Sequence, residues 1–133
     1  MDHATTILLV EDNHDDVFLM QRALKKAAIA NPIQVVNDGG SAIDYLAGKG
    51  RFAVRDKFPL PGLIFLDLKL PYFDGFEVLQ WIQTQPALNR IIVVILSSSG
   101  ESRDRERATA LGVRSYLVKP PTPDKLKAVM VSI

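Results

Sequence analysis

Five polar residues stand where short apolar runs end. Glu11 and Asp12 follow Ile7 to Val10, Asp67 follows Leu63 to Leu66, Ser97 follows Leu96, and Lys119 follows Val118. Carboxylates brought together repel and raise one another's pKa unless a cation joins them. A hard divalent ion with oxygen ligands meets that need. Mg²⁺ suits it, being held typically by one or two carboxylates with waters and phosphate oxygens. Lys119 adds a second positive charge and Ser97 a hydroxyl donor. Metal, ammonium and donor around a carboxylate nucleophile are the parts of a phosphoryl-transfer site.

Each residue alone has a plainer reading. An acid after a strand, such as Asp12, is more often a helix cap or a solvated turn. Ser97 opens Ser97-Ser98-Ser99-Gly100, ordinary loop material, and a lysine before Pro120 is usually just exposed. Asp74 reads better as a helix cap than as a ligand, with Glu77 at capping-box spacing. The case rests on the conjunction, because all five residues fall at the same end of four different strands.

The elements that must position them alternate. Short β-rich apolar runs at 6–10, 33–36, 63–66, 91–96 and 115–118 read as buried strands. Mixed runs at 15–28, 41–46, 74–83, 101–111 and 123–131 read as helices. The first has Val17, Met20, Leu24 and Ala27 at helical spacing, with acids near its start, where the dipole favours them. Asn37-Asp38-Gly39-Gly40 is turn chemistry, and the basic stretch 51–61, with two prolines, reads as a loop. Five βα units in a row predict an α/β fold with a parallel sheet covered by helices on both faces. Right-handed crossovers leave the flavodoxin-like order 2-1-3-4-5 in front. In such sheets ligands bind beyond the carboxyl ends of the strands at the switch point. That order makes the first and third strands neighbours, so Glu11, Asp12 and Asp67 converge.

A chain of 133 residues fits one domain, 1–133, with no output domain. The last helix runs to the chain end, which fits a domain cut from a longer chain as well as a free-standing one. Sixteen basic and fifteen acidic residues leave a net charge of +1, so no global field points to nucleic acid or an anionic membrane. Arg103, Arg105 and Arg107 read as a solvated helix face. The absence of cysteine excludes disulfides, thiolate metal sites and cysteine catalysis. The start is short and polar and the apolar runs are too short to span a bilayer, so a cytoplasmic location is expected. His14 reads as a solvated helix-start residue, since no second histidine lies at ligand spacing, and Trp81 as a packing residue.

Four segments resemble the CheY-like receiver domains of two-component response regulators. They are Ile7 to Asn13 (ILLVEDN), Leu63 to Pro71 (LIFLDLKLP) with Phe73-Asp74-Gly75, Ile95 to Ser97, and Tyr116 to Pro120 (YLVKP). Each is weak alone; all four in order, on strand ends, are highly specific. Val10 to Asn13 and the long loop before the third strand also resemble the single-domain subgroup that serves phytochrome-type histidine kinases. The resemblance implies that Asp67 accepts a phosphoryl group. It implies Mg²⁺ on Asp12 directly, on Glu11 mostly through water, on Asp67, and on the backbone carbonyl of Lys69. Ser97 and Lys119 would contact the phosphoryl oxygens, and Tyr116 would be the switch aromatic. The Lys119-Pro120 bond would be cis; only about 5–6% of X–Pro bonds are, so this expectation comes from the family. The implied partners are a sensor histidine kinase or phosphotransfer protein, and a downstream protein or second copy. The latter would meet the face made by the fourth helix, fifth strand and last helix. Departures are small. Glu11 replaces a common Asp and Ser97 a common Thr, Lys69 is a long cation whose position bears on phosphoryl lifetime, and Pro121 replaces a bulkier apolar residue.

The rival readings are weaker. An Asp-nucleophile phosphatase would need a second Asp two residues on, where Lys69 stands. A flavodoxin-like cofactor binder would need a Gly-rich phosphate loop after the first strand, and residues 11–16 are acidic instead. A receiver fold used only as a docking scaffold would be expected to have lost a member of the set. A signalling module and not an enzyme is the expectation.

Overall fold

The computed structural model describes residues 2–133. Five parallel strands, β1 (Ile7–Val10), β2 (Ile33–Val36), β3 (Leu63–Asp67), β4 (Ile92–Ser97) and β5 (Ser115–Val118), form one sheet of order β2-β1-β3-β4-β5. Between and after them lie α1 (His14–Lys26), α2 (Gly39–Ala47), α3 (Gly75–Gln83), α4 (Ser102–Ala110) and α5 (Pro123–Val131). This is the expected doubly wound, flavodoxin-like architecture.

Strand residues alternate faces, and the chain uses both. Leu8, Val10, Ile64, Leu66 and Ile95 pack with Ala42, Leu79, Ile82 and Ala108 of α2, α3 and α4. Ile7, Leu9, Leu63, Phe65, Val94 and Leu96 pack with Met20, Leu24, Leu126 and Val129 of α1 and α5. The central strands are therefore continuous apolar runs, because neither face meets water.

Several boundaries differ from the sequence reading for local reasons. Helix α1 starts at His14, where the Asn13 side chain accepts from the Asp16 amide, and stops at Lys26, since Ala28 turns to φ 59°. Asp38 is the N-cap of α2 and not mere turn material; its carboxylate accepts from the Ser41 amide at 2.6 Å. Asp74 caps α3 as expected, accepting from the Glu77 amide at 2.9 Å. The 51–61 stretch is not a plain loop. A 3-10 turn (Gly50–Ala53) buries Phe52 against Tyr45 and Phe58. Arg55 donates to the Tyr45, Leu46 and Phe58 carbonyls, two of them at the C-terminal end of α2.

Close packing also positions the loop after β3. A Cβ on Gly75 would lie 2.5 Å from the Asp67 carbonyl oxygen and 2.6 Å from the Leu68 Cα. The Gly75 amide instead donates to the Leu68 carbonyl at 2.9 Å, which draws the start of α3 onto the end of β3.

Candidate functional site

The sheet order makes β1 and β3 neighbours, pairing Val10 with Leu66. Glu11 and Asp12, just past β1, therefore stand beside Asp67, the last residue of β3. One carboxylate oxygen from each of the three lies within 4.8 Å of the other two. Glu11 and Asp67 are buried, while Asp12 is exposed at the mouth. An all-oxygen donor set that is part buried and part open fits a hard divalent cation that keeps some of its water.

Lys119 enters from the end of β5. Its ammonium bonds both to Glu11 and to Asp67 Oδ2, the latter at 3.0 Å. Asp67 Oδ1 accepts from the Lys69 backbone amide at 3.0 Å. Both carboxylate oxygens of Asp67 are thus held by donors from different segments. The Lys119-Pro120 bond is cis, as the resemblance implied.

Burial and the neighbouring Asp67 push the Glu11 carboxyl up to about 7, against the pull of Lys119. Burial alone would lower the Lys119 pKa, but hydrogen bonds to Glu11, Asp16 and Asp67 outweigh it, so the ammonium is held above its ordinary range.

Ser97 ends β4 beside the strand of Asp67, where Asp67 pairs with Leu96. Its fully buried hydroxyl accepts from the Ser99 amide at 3.1 Å. The Ser99 carbonyl in turn accepts from the Tyr116 hydroxyl at 2.7 Å. One peptide segment therefore links Ser97 to Tyr116, and the Lys119 amide donates to the Ser97 carbonyl at 2.8 Å.

The contacts of three residues were missed in the sequence. Asp16 reads there only as an acid near a helix start, yet its Oδ2 lies 3.0 Å from Lys119 Nζ. Arg105 and Arg107 are exposed but not merely solvated. The Arg105 guanidinium lies 4.7 Å from the Tyr116 ring centre, and that of Arg107 lies 4.0 Å from the Phe76 ring centre. No local signal pairs residues so far apart in the chain. His14 is exposed at the first turn of α1, and Trp81 packs against the α2–α3 side of the core, as their plainer readings held.

Residues 7–131 match the response regulator receiver domain. The chain belongs to that family. This receiver domain is 41% identical over 113 residues to the response regulator Rcp1 of Synechocystis sp., covering 85% of the chain and 75% of Rcp1. It superposes on the Mn²⁺-bound form of Rcp1 with a TM-score of 0.80 at 38% identity, over 96% of the chain and 90% of that one. The bacteriophytochrome response regulator AtBRR matches with a TM-score of 0.85 at 40% identity, over 96% and 91% of the two chains. The phosphorylated cyanobacterial phytochrome response regulator RcpA matches with a TM-score of 0.81 at 37% identity, over 97% and 90%. The resemblance to response regulators of phytochromes therefore holds. The receiver domain is a phosphoacceptor module of two-component signalling. Modules of this family work between histidine kinases and downstream partners and are in general not enzymes. Among the described residues, no helix is long and apolar enough to cross a membrane.

Proposed function

We propose that Asp67 is the phosphoacceptor and that Glu11, Asp12, Asp67 and the Lys69 carbonyl hold Mg²⁺ beside it. The observation that carries this is the double anchoring of the Asp67 carboxylate, by Lys119 and by the Lys69 amide, within an acidic pocket. A carboxylate so held is oriented before its partner arrives, which lowers the entropic part of the barrier. A carboxylate oxygen attacks the phosphorus of a phosphohistidine. The O–P bond forms, the P–N bond breaks, and the imidazole nitrogen leaves. Bound Mg²⁺ supplies positive charge to the phosphoryl oxygens. Lys119 supplies an ammonium to the same oxygens, and Ser97 a hydroxyl donor once it turns from Ser99.

The donor on this reading is a sensor histidine kinase of the phytochrome type or a phosphotransfer protein, met in the cytoplasm. On this reading the chain itself is a switch and not an enzyme, and residues 7–131 act as one receiver domain. A phosphoryl group adds about −1.5 to −2 charges, and Ser97 moves toward it. That motion breaks the Ser97–Ser99 link, frees the Tyr116 hydroxyl's acceptor and repacks α4, β5 and α5. A downstream protein or a second copy reads this face, with no direct contact to nucleic acid or membrane. Only the difference in affinity of the two loop arrangements for the phosphoryl group drives the change.

Intact mass after incubation with acetyl phosphate and Mg²⁺ tests the reading. One phosphoryl mass is gained, and the gain is lost in Asp67→Asn and without the metal. A gain that survives Asp67→Asn would place the acceptor elsewhere.

A further inference from the structure

An ammonium has three hydrogen-bond donors. The Lys119 ammonium meets three carboxylates, those of Glu11, Asp16 and Asp67, with Asp16 Oδ2 and Asp67 Oδ2 each at 3.0 Å. Every donor is taken, so a phosphoryl oxygen can receive one only if a carboxylate lets go. Before the O–P bond forms and takes the charge off Asp67, burial decides which. The Glu11 side chain is 2% exposed and that of Asp67 7%, so either would be left unsolvated, whereas the Asp16 side chain is 35% exposed and can turn to water.

We infer that Asp16 is a positioning residue for Lys119, the displaceable counterion that holds the ammonium before transfer and yields it to the phosphoryl group. The inference rests on the phosphoacceptor reading of Asp67 and goes beyond it. Asp16 stands on the first turn of α1, outside the group of three carboxylates that fits a divalent cation. Its effect on chemistry therefore runs through Lys119. While it is bound, its negative charge neutralises part of the ammonium that would otherwise attract an anionic donor. Removing that charge leaves Lys119 free to attract and hold the phosphoryl group.

The test compares wild type, Asp16→Asn and Asp16→Glu by intact mass over time with acetyl phosphate at saturating Mg²⁺. Asp16→Asn should take up phosphoryl about three- to ten-fold faster, the scale of one partly screened charge at this range. Asp16→Glu should return the rate toward wild type. In Lys119→Met, adding Asp16→Asn should change the remaining rate less than two-fold. A second readout needs no metal: nitrogen-15 spectra of the Lys119 ammonium should lose protection from exchange in Asp16→Asn. Equal or slower uptake in Asp16→Asn, an effect that persists in Lys119→Met, or an unchanged ammonium signal would overturn the inference alone. No mass gain in wild type would overturn the phosphoacceptor reading and this inference with it.

Discussion

Lys119 Nζ lies 3.0 Å from Asp67 Oδ2 across a separation of 52 residues. The ammonium comes from the end of β5 and the carboxylate from the end of β3, with β4 between their strands. It also bonds to buried Glu11. This one cation lets two buried carboxylates share a pocket before any metal arrives.

Lys119→Met should therefore destabilise the metal-free domain. At pH 8 the loss is on the order of 3 kcal/mol, the low end for breaking a buried pair. Below pH 7 the loss should shrink, because Glu11 can then take a proton. Urea unfolding at the two pH values checks both parts; a loss that does not depend on pH would count against this account.

The raised Glu11 pKa sets a second prediction. Its carboxyl titrates at 4.5 ordinarily and at about 7 in the fold, chiefly because it is buried. The folded state thus favours the protonated form. That contribution to stability is fully present below pH 4.5 and is lost as pH rises to about 7. Lys119 is raised too, but its contribution is lost only above its ordinary 10.5, outside this window. On the proposed function the Glu11 carboxylate helps to hold the divalent cation, so its affinity should rise with pH through 7 and binding at pH 6 should release up to one proton. Calorimetry in buffers of different ionisation enthalpy measures that proton; affinity flat from pH 6 to 8 would sink the idea.

Tyr116→Phe removes the 2.7 Å hydrogen bond to the Ser99 carbonyl. A neutral hydrogen bond is worth about 1 kcal/mol net, so a drop of that size is expected in thermal or urea unfolding. Phosphoryl uptake should persist, since Tyr116 has no bond to Asp67. Ser97→Ala removes the acceptor of the Ser99 amide and should shift the Tyr116 ring resonances without phosphorylation.

Gly75→Ala should be costly despite adding one methyl. The Cβ would meet the backbone of Asp67 and Leu68, which cannot swing aside as a side chain can. Overpacking of this kind costs about 1–3 kcal/mol. It should also weaken divalent-ion binding by displacing Asp67, which titration calorimetry would show; unchanged affinity would separate the helix start from the pocket.

Much of this protein is written locally in its chain. Hydrophobic period and turn residues locate all five strands and five helices to within two residues or so at each end. Glu11, Asp12, Asp67, Ser97 and Lys119 are visible because each directly follows or closes an apolar run. Asp74 is visible as a cap because capping acts over three residues. What the chain does not write locally is which strand lies beside which. Only the tertiary order β2-β1-β3-β4-β5 sets Glu11 against Asp67 and swings Lys119 over both. Asp16 and Arg105 show the limit. On paper both are surface charges on helices, and only the docking of α1 near the end of β5, and of α4 beside Tyr116, turns them into partners of the site. The reason is physical. Propensity and periodicity act over a few residues, whereas the contacts that make this pocket are closed by burial on both faces of the sheet.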